Sequence, residues 1–248
     1  MEPVAVIIPT LNEVEAIRGV VAELPRAIAR QIIVADSGSR DGTPAAATGA
    51  GAMVVSLTER GYGRACAAGV AAADPACSVL VFLDGDGADR GDLLDRLVRP
   101  ILDGTHDFVI ASRTRGVREA GSMSWHQVLA GRLAGLGMRA LYGVRYTDMC
   151  AYRAIRRDVL GQLDMREMTY GWNLEMQMKA ARAGLRILEV PMPYRCRAGG
   201  VSKVAGSVRG TLRAATRIVA TFVRVAREPD QATRRGLVAG TSSSMSGR

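Results

Sequence analysis

Residues 79–89 read Val-Leu-Val-Phe-Leu-Asp-Gly-Asp-Gly-Ala-Asp, and this stretch decides the fold. Its unbroken apolar run is typical of a strand in a parallel sheet that helices cover on both faces. The run ends at Asp84 and Asp86, two carboxylates separated by one glycine. Such a pair can bind a divalent cation and leave coordination positions open for a diphosphate. The alternative is an ordinary surface turn, in which Asp and Gly are also common.

The same alternation of apolar runs and helix-length segments extends through the first half of the chain. Strands are predicted at residues 4–8, 31–36, 52–57, 78–83 and 108–112, and helices at residues 13–29, 44–50, 63–73 and 93–102. Asn12 and the pair Thr43-Pro44 are predicted to begin the first two helices. Strands that alternate with helices predict an α/β fold of the Rossmann type, with a mostly parallel sheet and helices on both faces.

The second half of the chain is less regular and is interpreted as the other side of the same domain. Helices are predicted at residues 125–142 and 173–183, and strands at residues 151–156 and 187–190. Residues 204–227 place apolar residues on one stripe and Arg209, Arg213, Arg217 and Arg224 on another, which predicts a basic amphipathic helix. This helix either meets anionic lipid headgroups or packs on the catalytic domain with a solvated basic face. We therefore divide the chain into a catalytic domain (1–203), an amphipathic helix (204–228) and a disordered tail (229–248).

The composition describes a single basic globular domain. Lys and Arg total 33 against 24 Asp and Glu, which gives a net charge of +9 and a surface that attracts polyanions. The apolar runs are far shorter than the roughly 20 residues that cross a bilayer. The N-terminus lacks the pattern of a signal peptide, so a cytoplasmic location is predicted.

The cysteines and histidines do not indicate a metal site. The four cysteines are widely spaced with no C-x-x-C pattern, and the chain has only two histidines. Reduced and mostly buried thiols are therefore expected, with no structural zinc. His106 and His126 are left out of the predicted site, because no nucleophile motif accompanies them.

Two further polar motifs follow predicted strands. Residues 9–13 read Pro-Thr-Leu-Asn-Glu, and residues 36–43 read Asp-Ser-Gly-Ser-Arg-Asp-Gly-Thr. Ligands of open α/β sheets bind beyond the carboxyl ends of the strands, so both motifs are expected in one crevice with Asp84 and Asp86. The Asp36 carboxylate can accept a hydrogen bond from the imide of a base ring, although the segment also reads as an ordinary turn.

These three motifs resemble the P-x-x-N-E, D-x-x-S-x-D-G-T and D-x-D motifs of family 2 glycosyltransferases with the GT-A fold. Within that family the chain is most similar to dolichyl- or polyprenyl-phosphate sugar synthases. That likeness rests on Ala111-Ser112-Arg113, on residues 147–153 and on Gly-Gly-Val-Ser-Lys at residues 199–203. The resemblance covers residues 3–227 and implies the GT-A fold.

The resemblance implies a donor site at the carboxyl edge of the sheet. Its donor-binding residues would be Pro9, Asn12, Glu13, Asp36, Ser39, Asp84, Arg195, Arg197 and Lys203. Asp36 would contact the base, Asp84 would bind the ribose or the metal, and Asp86 would bind the metal, Mg²⁺ or Mn²⁺. The last three residues would form a lid over the diphosphate. Cationic groups suit this site, because a departing nucleoside diphosphate develops negative charge. The chain departs from the synthase pattern at Ala88, where the synthases commonly carry Gln as a further metal ligand. Asp89 is the next residue in this chain.

The resemblance also implies the acceptor. Ser112 and Arg113 would bind a phosphate monoester, which is already largely dianionic at neutral pH and needs little help from a general base. If the acceptor were instead a soluble hydroxyl compound, a carboxylate would have to take its proton. Asp148 and Glu175 are the candidates for that role. The third residue predicted to be catalytic is Asp86, through the metal that it would bind.

The resulting prediction is a metal-dependent inverting glycosyltransferase at the cytoplasmic face of the membrane. It would move a hexose from a donor of the UDP-glucose or GDP-mannose type to polyprenyl phosphate. The competing hypothesis keeps fold and donor and transfers to a soluble hydroxyl. Nucleic acid is not expected as a partner, because the chain has few aromatic residues and no recognised reading motif. The oligomeric state is left open.

Overall fold

The computed structural model describes residues 2–199 and 208–228, with side chains described outside residues 208–214. Within these residues the strands form one sheet. They are β1 (Val4–Thr10), β2 (Ala29–Asp36), β3 (Met53–Ser56), β4 (Val79–Phe82), β5 (Phe108–Ser112), β6 (Arg153–Arg156) and β7 (Ile187–Pro191). The order across the sheet is β3-β2-β1-β4-β6-β5-β7.

Helices connect and cover the strands in the described part of the chain. They are α1 (Val14–Glu23), α2 (Thr43–Gly49), α3 (Tyr62–Ala72), α4 (Asp95–Leu102), α5 (Trp125–Tyr142), α6 (Arg157–Gln162), α7 (Trp172–Arg182) and α8 (Val208–Arg227), with a 3₁₀ turn at Gly91–Leu93. Among residues 2–199 and 208–228, none of the helices combines the length and the apolar character that a bilayer crossing requires.

The mostly parallel sheet is confirmed. β1 pairs in parallel with β2 and β4, and β5 pairs in parallel with β7. Every residue of β1, β4 and β5 is buried, which explains why these strands show no polar alternation. The exception is β6, which lies antiparallel between β4 and β5. The alternation of strands and helices did not predict this reversal.

Several predicted boundaries are corrected by local geometry. The first helix ends at Glu23 rather than at residue 29, because Leu24 is extended and Pro25 follows, and Ala29 already belongs to β2. Asn12 does not cap this helix. Its φ is 53°, Glu13 occupies the cap position, and the Asn12 side chain accepts the Arg40 N–H instead. The 3₁₀ turn and α6 were not predicted.

The C-terminal helix packs on α7 through its second half. Thr221 and Val225 are buried in this contact, and the Arg224 guanidinium lies 3.0 Å from the Glu175 carboxylate of α7. This half of α8 therefore packs on the rest of the protein, and Arg224 forms an ion pair there. Contact of the helix with lipid stays a prediction. The predicted domain boundary at residue 203 and the tail at 229–248 lie outside the described residues.

Tight packing of α3 on β1 gives a stability prediction. A Cβ at Gly69 would lie 2.3 Å from Cγ2 of Ile7, a fully buried residue of β1. We expect Gly69→Ala to lower the free energy of unfolding by about 1–2 kcal/mol, because overpacking outweighs the gain in helix propensity. Urea unfolding followed by circular dichroism measures this change.

Gly19→Ala in α1 is the matched control, because no atom lies within 4 Å of its added Cβ. It should leave stability unchanged or raise it by up to about 1 kcal/mol. Equal stability of Gly69→Ala and the unaltered protein would contradict the packing argument.

Candidate active site

The sheet register brings the three polar motifs together. Thr10 pairs with Asp36 at the ends of β1 and β2, and Ile7 pairs with Phe82 of β4. Residues 84–89, which follow β4 and contain Asp84, Asp86 and Asp89, therefore lie beside the end of β1. We call them the acidic motif. A Cβ at Gly85 would be 2.7 Å from the Thr10 methyl group, so glycine is needed for this close approach. The predicted convergence at the carboxyl edge of the sheet is confirmed.

The acidic motif is mostly buried, and its carboxylates repel one another. Burial and the neighbouring Asp86 charge raise the pKa of Asp84 to about 7. Burial and the charges of Asp84 and Asp86 raise the pKa of Asp89 to about 8. Arg113 and Arg197 act on the pKa of Asp84 in the opposite direction. Arg113 lies over the ring of Tyr194, which forms a β-bridge with Asp89. A bound cation would relieve the same repulsion.

The donor set of this motif fits a divalent cation. Asp84 and Asp86 present carboxylate oxygens, which are the ligands preferred by Mg²⁺ and Mn²⁺. In the part of the chain that the structure describes, no group of three His, Cys, Asp or Glu side chains is arranged to hold a metal. The two carboxylates would therefore leave further coordination positions for diphosphate and water.

The raised pKa values predict how the metal-free protein responds to pH. The Asp84 carboxyl has a pKa of about 7 when folded and an ordinary value of 3.8, so the folded state binds more protons than the unfolded state. Stability should therefore fall as the pH rises from about 4 to about 8. Thermal unfolding in a chelator at several pH values measures this slope. Asp84→Asn should flatten it, and an unchanged slope in that variant would contradict the assignment.

Asp36 organises the turn after β2. It is buried and accepts hydrogen bonds from the Thr10 hydroxyl at 3.0 Å and from the backbone N–H groups of Gly38 and Ser39 at 3.1 and 2.8 Å. The Ser39 hydroxyl in turn accepts the Asn12 N–H at 2.7 Å. Asp36 thus connects the motif at residues 9–13 with the motif at residues 36–43. Its contact with a nucleotide base stays a prediction.

A strap at residues 195–199 lies over the acidic motif. The Arg195 and Ala198 N–H groups donate to the backbone carbonyls of Ala88 and Asp86, each at 2.9 Å. The Arg197 guanidinium joins the Glu13 carboxylate at 3.0 Å to Asp86 Oδ2 at 3.1 Å. Arg197 is therefore at the site, as expected for a lid residue.

Arg195 is held at the acidic motif by backbone contacts. Its guanidinium pairs with the Glu23 carboxylate of α1 at 2.7 Å and donates to the Asp89 backbone carbonyl at 3.0 Å. Lys203 lies outside the described residues. The strap therefore brings Arg197 alone among the predicted lid residues to the carboxylates, within the part of the chain that is described.

Arg113 and Asp148 form a bidentate ion pair at the end of β5. The Arg113 Nε and Nη2 atoms lie 2.8 and 2.7 Å from the two Asp148 oxygens, and the Arg113 backbone N–H donates to Oδ2 at 2.9 Å. The guanidinium lies 5.0 Å from the centre of the Tyr194 ring. Ser112 is buried beside it and shares a hydrogen bond with the Thr147 hydroxyl. Asp148 therefore orients Arg113, and the geometry does not favour it as a base.

Glu175 is not brought to the candidate site. Its side chain is fully buried in α7, where it accepts the Glu167 N–H and pairs with Lys179 and with Arg224 of α8, each at 3.0 Å. Burial alone would raise the pKa of Glu175, but the Glu167 N–H and the Lys179 ammonium lower it. The carboxylate joins two helices and does not face the acidic motif, so its assignment as a base is not supported.

Sequence reasoning missed Tyr62, at the start of α3. Its hydroxyl hydrogen-bonds to Asp84 and lies 3.5 Å from the Asn173 amide nitrogen. The sequence did carry a signal, which is the glycine on each side of Tyr62. A Cβ at either glycine would lie within 2.4 Å of a backbone carbonyl oxygen in the segment before α7, so only glycine fits there. Those close approaches hold Tyr62 against the acidic motif.

Comparisons with known proteins agree with this architecture. Residues 5–164 match the family model described as glycosyl transferase family 2. The undecaprenyl-phosphate mannosyltransferase of Micrococcus luteus is 33% identical over 84% of this chain and 89% of that protein. The dolichyl-phosphate hexose transferase of Haloferax volcanii is 35% identical over 80% of this chain and 85% of that protein.

A solved structure shows the same fold. Glucosyl-3-phosphoglycerate synthase from Mycobacterium tuberculosis, in complex with Mn²⁺, UDP-glucose and phosphoglyceric acid, superposes with a TM-score of 0.74 at 24% identity, over 93% of this chain and 82% of that one. The sheet order, the acidic motif after β4 and these likenesses lead to one assignment. The chain is a glycosyltransferase with the GT-A fold and belongs to glycosyl transferase family 2.

Proposed function

We propose that this protein is a metal-dependent inverting glycosyltransferase that moves a hexose from a nucleotide diphosphate sugar to polyprenyl phosphate. The observation that carries the proposal is the Arg113–Asp148 pair beside the acidic motif. It fixes a guanidinium next to the candidate donor site, and a guanidinium can bind a phosphate through two parallel hydrogen bonds. The names of the two relatives from Micrococcus luteus and Haloferax volcanii support a lipid-phosphate acceptor.

On the donor side, Asp84 and Asp86 would hold Mg²⁺ or Mn²⁺. When bound, the cation supplies positive charge to the departing diphosphate. Arg197 adds a guanidinium 3.1 Å from Asp86, where it can turn from the carboxylates to the diphosphate. The Mn²⁺ and UDP-glucose in the solved glucosyl-3-phosphoglycerate synthase support a nucleotide-sugar donor, and the name of the mannosyltransferase relative supports mannose as the sugar equally.

On the acceptor side, the phosphate dianion attacks the anomeric carbon as the nucleoside diphosphate leaves. This single displacement inverts the configuration. The acceptor oxygen carries no proton at neutral pH, so the reaction needs no general base. The engagement of Asp148 by Arg113 and of Glu175 by Lys179 is compatible with that chemistry.

The rival acceptor is a soluble hydroxyl compound, as the phosphoglyceric acid in the solved neighbour suggests. A hydroxyl acceptor requires a carboxylate that can take its proton. Asp148 and Glu175 were the candidates, and both carboxylates are held by cationic side chains. The geometry therefore favours the phosphate acceptor.

Transfer of labelled sugar tests the proposal. UDP-glucose, UDP-N-acetylglucosamine and GDP-mannose are each incubated with a short polyprenyl phosphate and with Mg²⁺, Mn²⁺ or a chelator. We expect organic-soluble label from one donor, present with metal and absent with chelator. Label that passes only to phosphoglyceric acid, or only to water, would overturn the lipid-phosphate acceptor and keep the donor site.

A further inference from the structure

Helix α5 presents four large apolar side chains to solvent. Trp125 is 76% exposed, Leu129 46%, Leu133 59% and Leu136 61%. Their spacing places all four on one face of the helix. The opposite face, which contacts the protein, is formed mainly by small residues. This polarity is the reverse of an ordinary surface helix.

The close packing of α5 fixes this orientation. A Cβ at Gly135 would meet the backbone carbonyl of Tyr146 at 2.0 Å, and one at Gly131 would lie 3.7 Å from the Asp148 Cα. At Gly135 the inner face has no room for a side chain, and the other buried residues of that face are Gly131, Ala134 and Met138. The helix therefore cannot rotate to bury its leucines, and they stay on the surface.

Helix α8 extends the exposed apolar surface. The Phe222 ring packs on α5 so closely that a Cβ at Gly137 would lie 2.6 Å from it. Beside Phe222, Val219 is 61% exposed and Val223 is 39% exposed. We call the combined surface the α5–α8 face. It consists of Trp125, Leu129, Leu133, Leu136, Val219 and Val223. Contiguous apolar surface of this kind marks an interaction site, unlike single exposed leucines.

Charge decides which partner fits the α5–α8 face. Arg132 and Arg139 are exposed on one flank of α5, and Arg217 and Arg227 are exposed on α8. Neither helix contains an Asp or Glu. Apolar side chains flanked by arginines, with a tryptophan at one end, match an anionic lipid interface. A two-fold contact between copies would bring arginines together without carboxylates from these helices.

The face lies directly behind the candidate acceptor site. Gly131 lies on the inner side of α5, where an added Cβ would be 3.7 Å from the Cα of Asp148, the residue that orients Arg113. A helix with its side chains is about 10 Å across, so the α5–α8 face is roughly one helix diameter from the ion pair. We infer that the α5–α8 face docks on an anionic bilayer surface and holds Arg113 at the depth of a lipid phosphate. The placement of Arg113 at a lipid phosphate rests on the proposed function, whereas the docking on the bilayer does not.

Flotation of the full chain with lipid vesicles tests the docking. The vesicles contain phosphatidylcholine alone or an equimolar mixture with phosphatidylglycerol, and no polyprenyl phosphate. We expect the protein to float with the anionic vesicles. The variant Leu133→Glu/Leu136→Glu should bind at least about tenfold more weakly, because each change removes an apolar contact and adds repulsion. Arg132→Gln/Arg139→Gln should weaken binding by roughly fivefold per arginine.

Met53→Glu on β3 is the matched control, because Met53 is an exposed apolar residue outside the face. It should float like the unaltered protein, and circular dichroism verifies that every variant is folded. Failure of the unaltered protein to bind anionic vesicles, or equal binding by the folded leucine variant, would overturn the inference. A dimer in sedimentation velocity that the leucine variant dissociates, without vesicle binding, would assign the face to a second copy instead. Because no sugar transfer is measured, the result is independent of the proposed reaction.

Discussion

Asp86→Asn is expected to lower the rate of sugar transfer by roughly a thousandfold, because it removes one of the two carboxylate charges that would hold the divalent cation. The substitution keeps the side-chain size and an oxygen that can accept the Ala88 N–H, which Asp86 accepts at 3.0 Å. The fold should therefore survive. Initial rates at saturating donor and Mn²⁺, together with calorimetric binding of the nucleotide diphosphate with and without metal, measure the effect.

Asp92→Asn is the matched control for this experiment. Asp92 follows the acidic motif in the 3₁₀ turn, and its carboxylate pairs with Arg90 at the surface. Loss of an exposed ion pair changes little, so transfer should stay within about twofold of the unaltered rate. If Asp86→Asn retained most of its activity, or if Asp92→Asn lost as much, the acidic motif would not be the metal site.

The strands of the first half could be predicted because burial on both faces leaves a direct mark on the sequence. β1 and β4 carry unbroken apolar runs, and the motifs that follow them lie together in the structure. A strand was also predicted at residues 151–156, but the antiparallel direction of β6 left no such mark. Its Arg153 is fully buried, bonded to the backbone carbonyls of Cys150 and Asn173. Composition assigns arginine to the surface, and only tertiary contacts reveal this position.

The sequence predicted which motifs form the site, but it did not predict which charged side chains form ion pairs with each other. Arg113 and Asp148 were both named from the sequence, in different roles, yet 35 positions separate them along the chain. Glu175 and Arg224 are 49 positions apart and form a contact between α7 and α8. Local spacing encodes neighbours on one helix or strand, whereas these ion pairs depend on how distant elements pack. This is why two proposed bases proved to be partners of arginines.

Arg113→Gln is expected to lower kcat/KM for polyprenyl phosphate by about a hundredfold, because the acceptor phosphate loses a charged bidentate donor. Nucleotide binding should change little, since Asp84, Asp86 and Arg197 remain. Asp148→Asn should have a smaller effect of about tenfold, mainly on KM, because it leaves the guanidinium in place and loosens its orientation. Steady-state kinetics with varied acceptor, and calorimetry with the nucleotide diphosphate, separate these effects.

The two single variants also decide between the acceptors. If Asp148 took a proton from a hydroxyl acceptor, Asp148→Asn would cost at least as much as Arg113→Gln, would lower kcat, and would remove the acidic limb of the pH–rate profile. Stability must be measured in parallel, because Asp148 is buried and removing Arg113 leaves its carboxylate unpaired. The double variant Arg113→Gln/Asp148→Asn removes both charges, so it should regain stability over Arg113→Gln. Its acceptor kinetics should remain as poor as those of Arg113→Gln, because phosphate binding depends on the guanidinium and not on the stability of the pair.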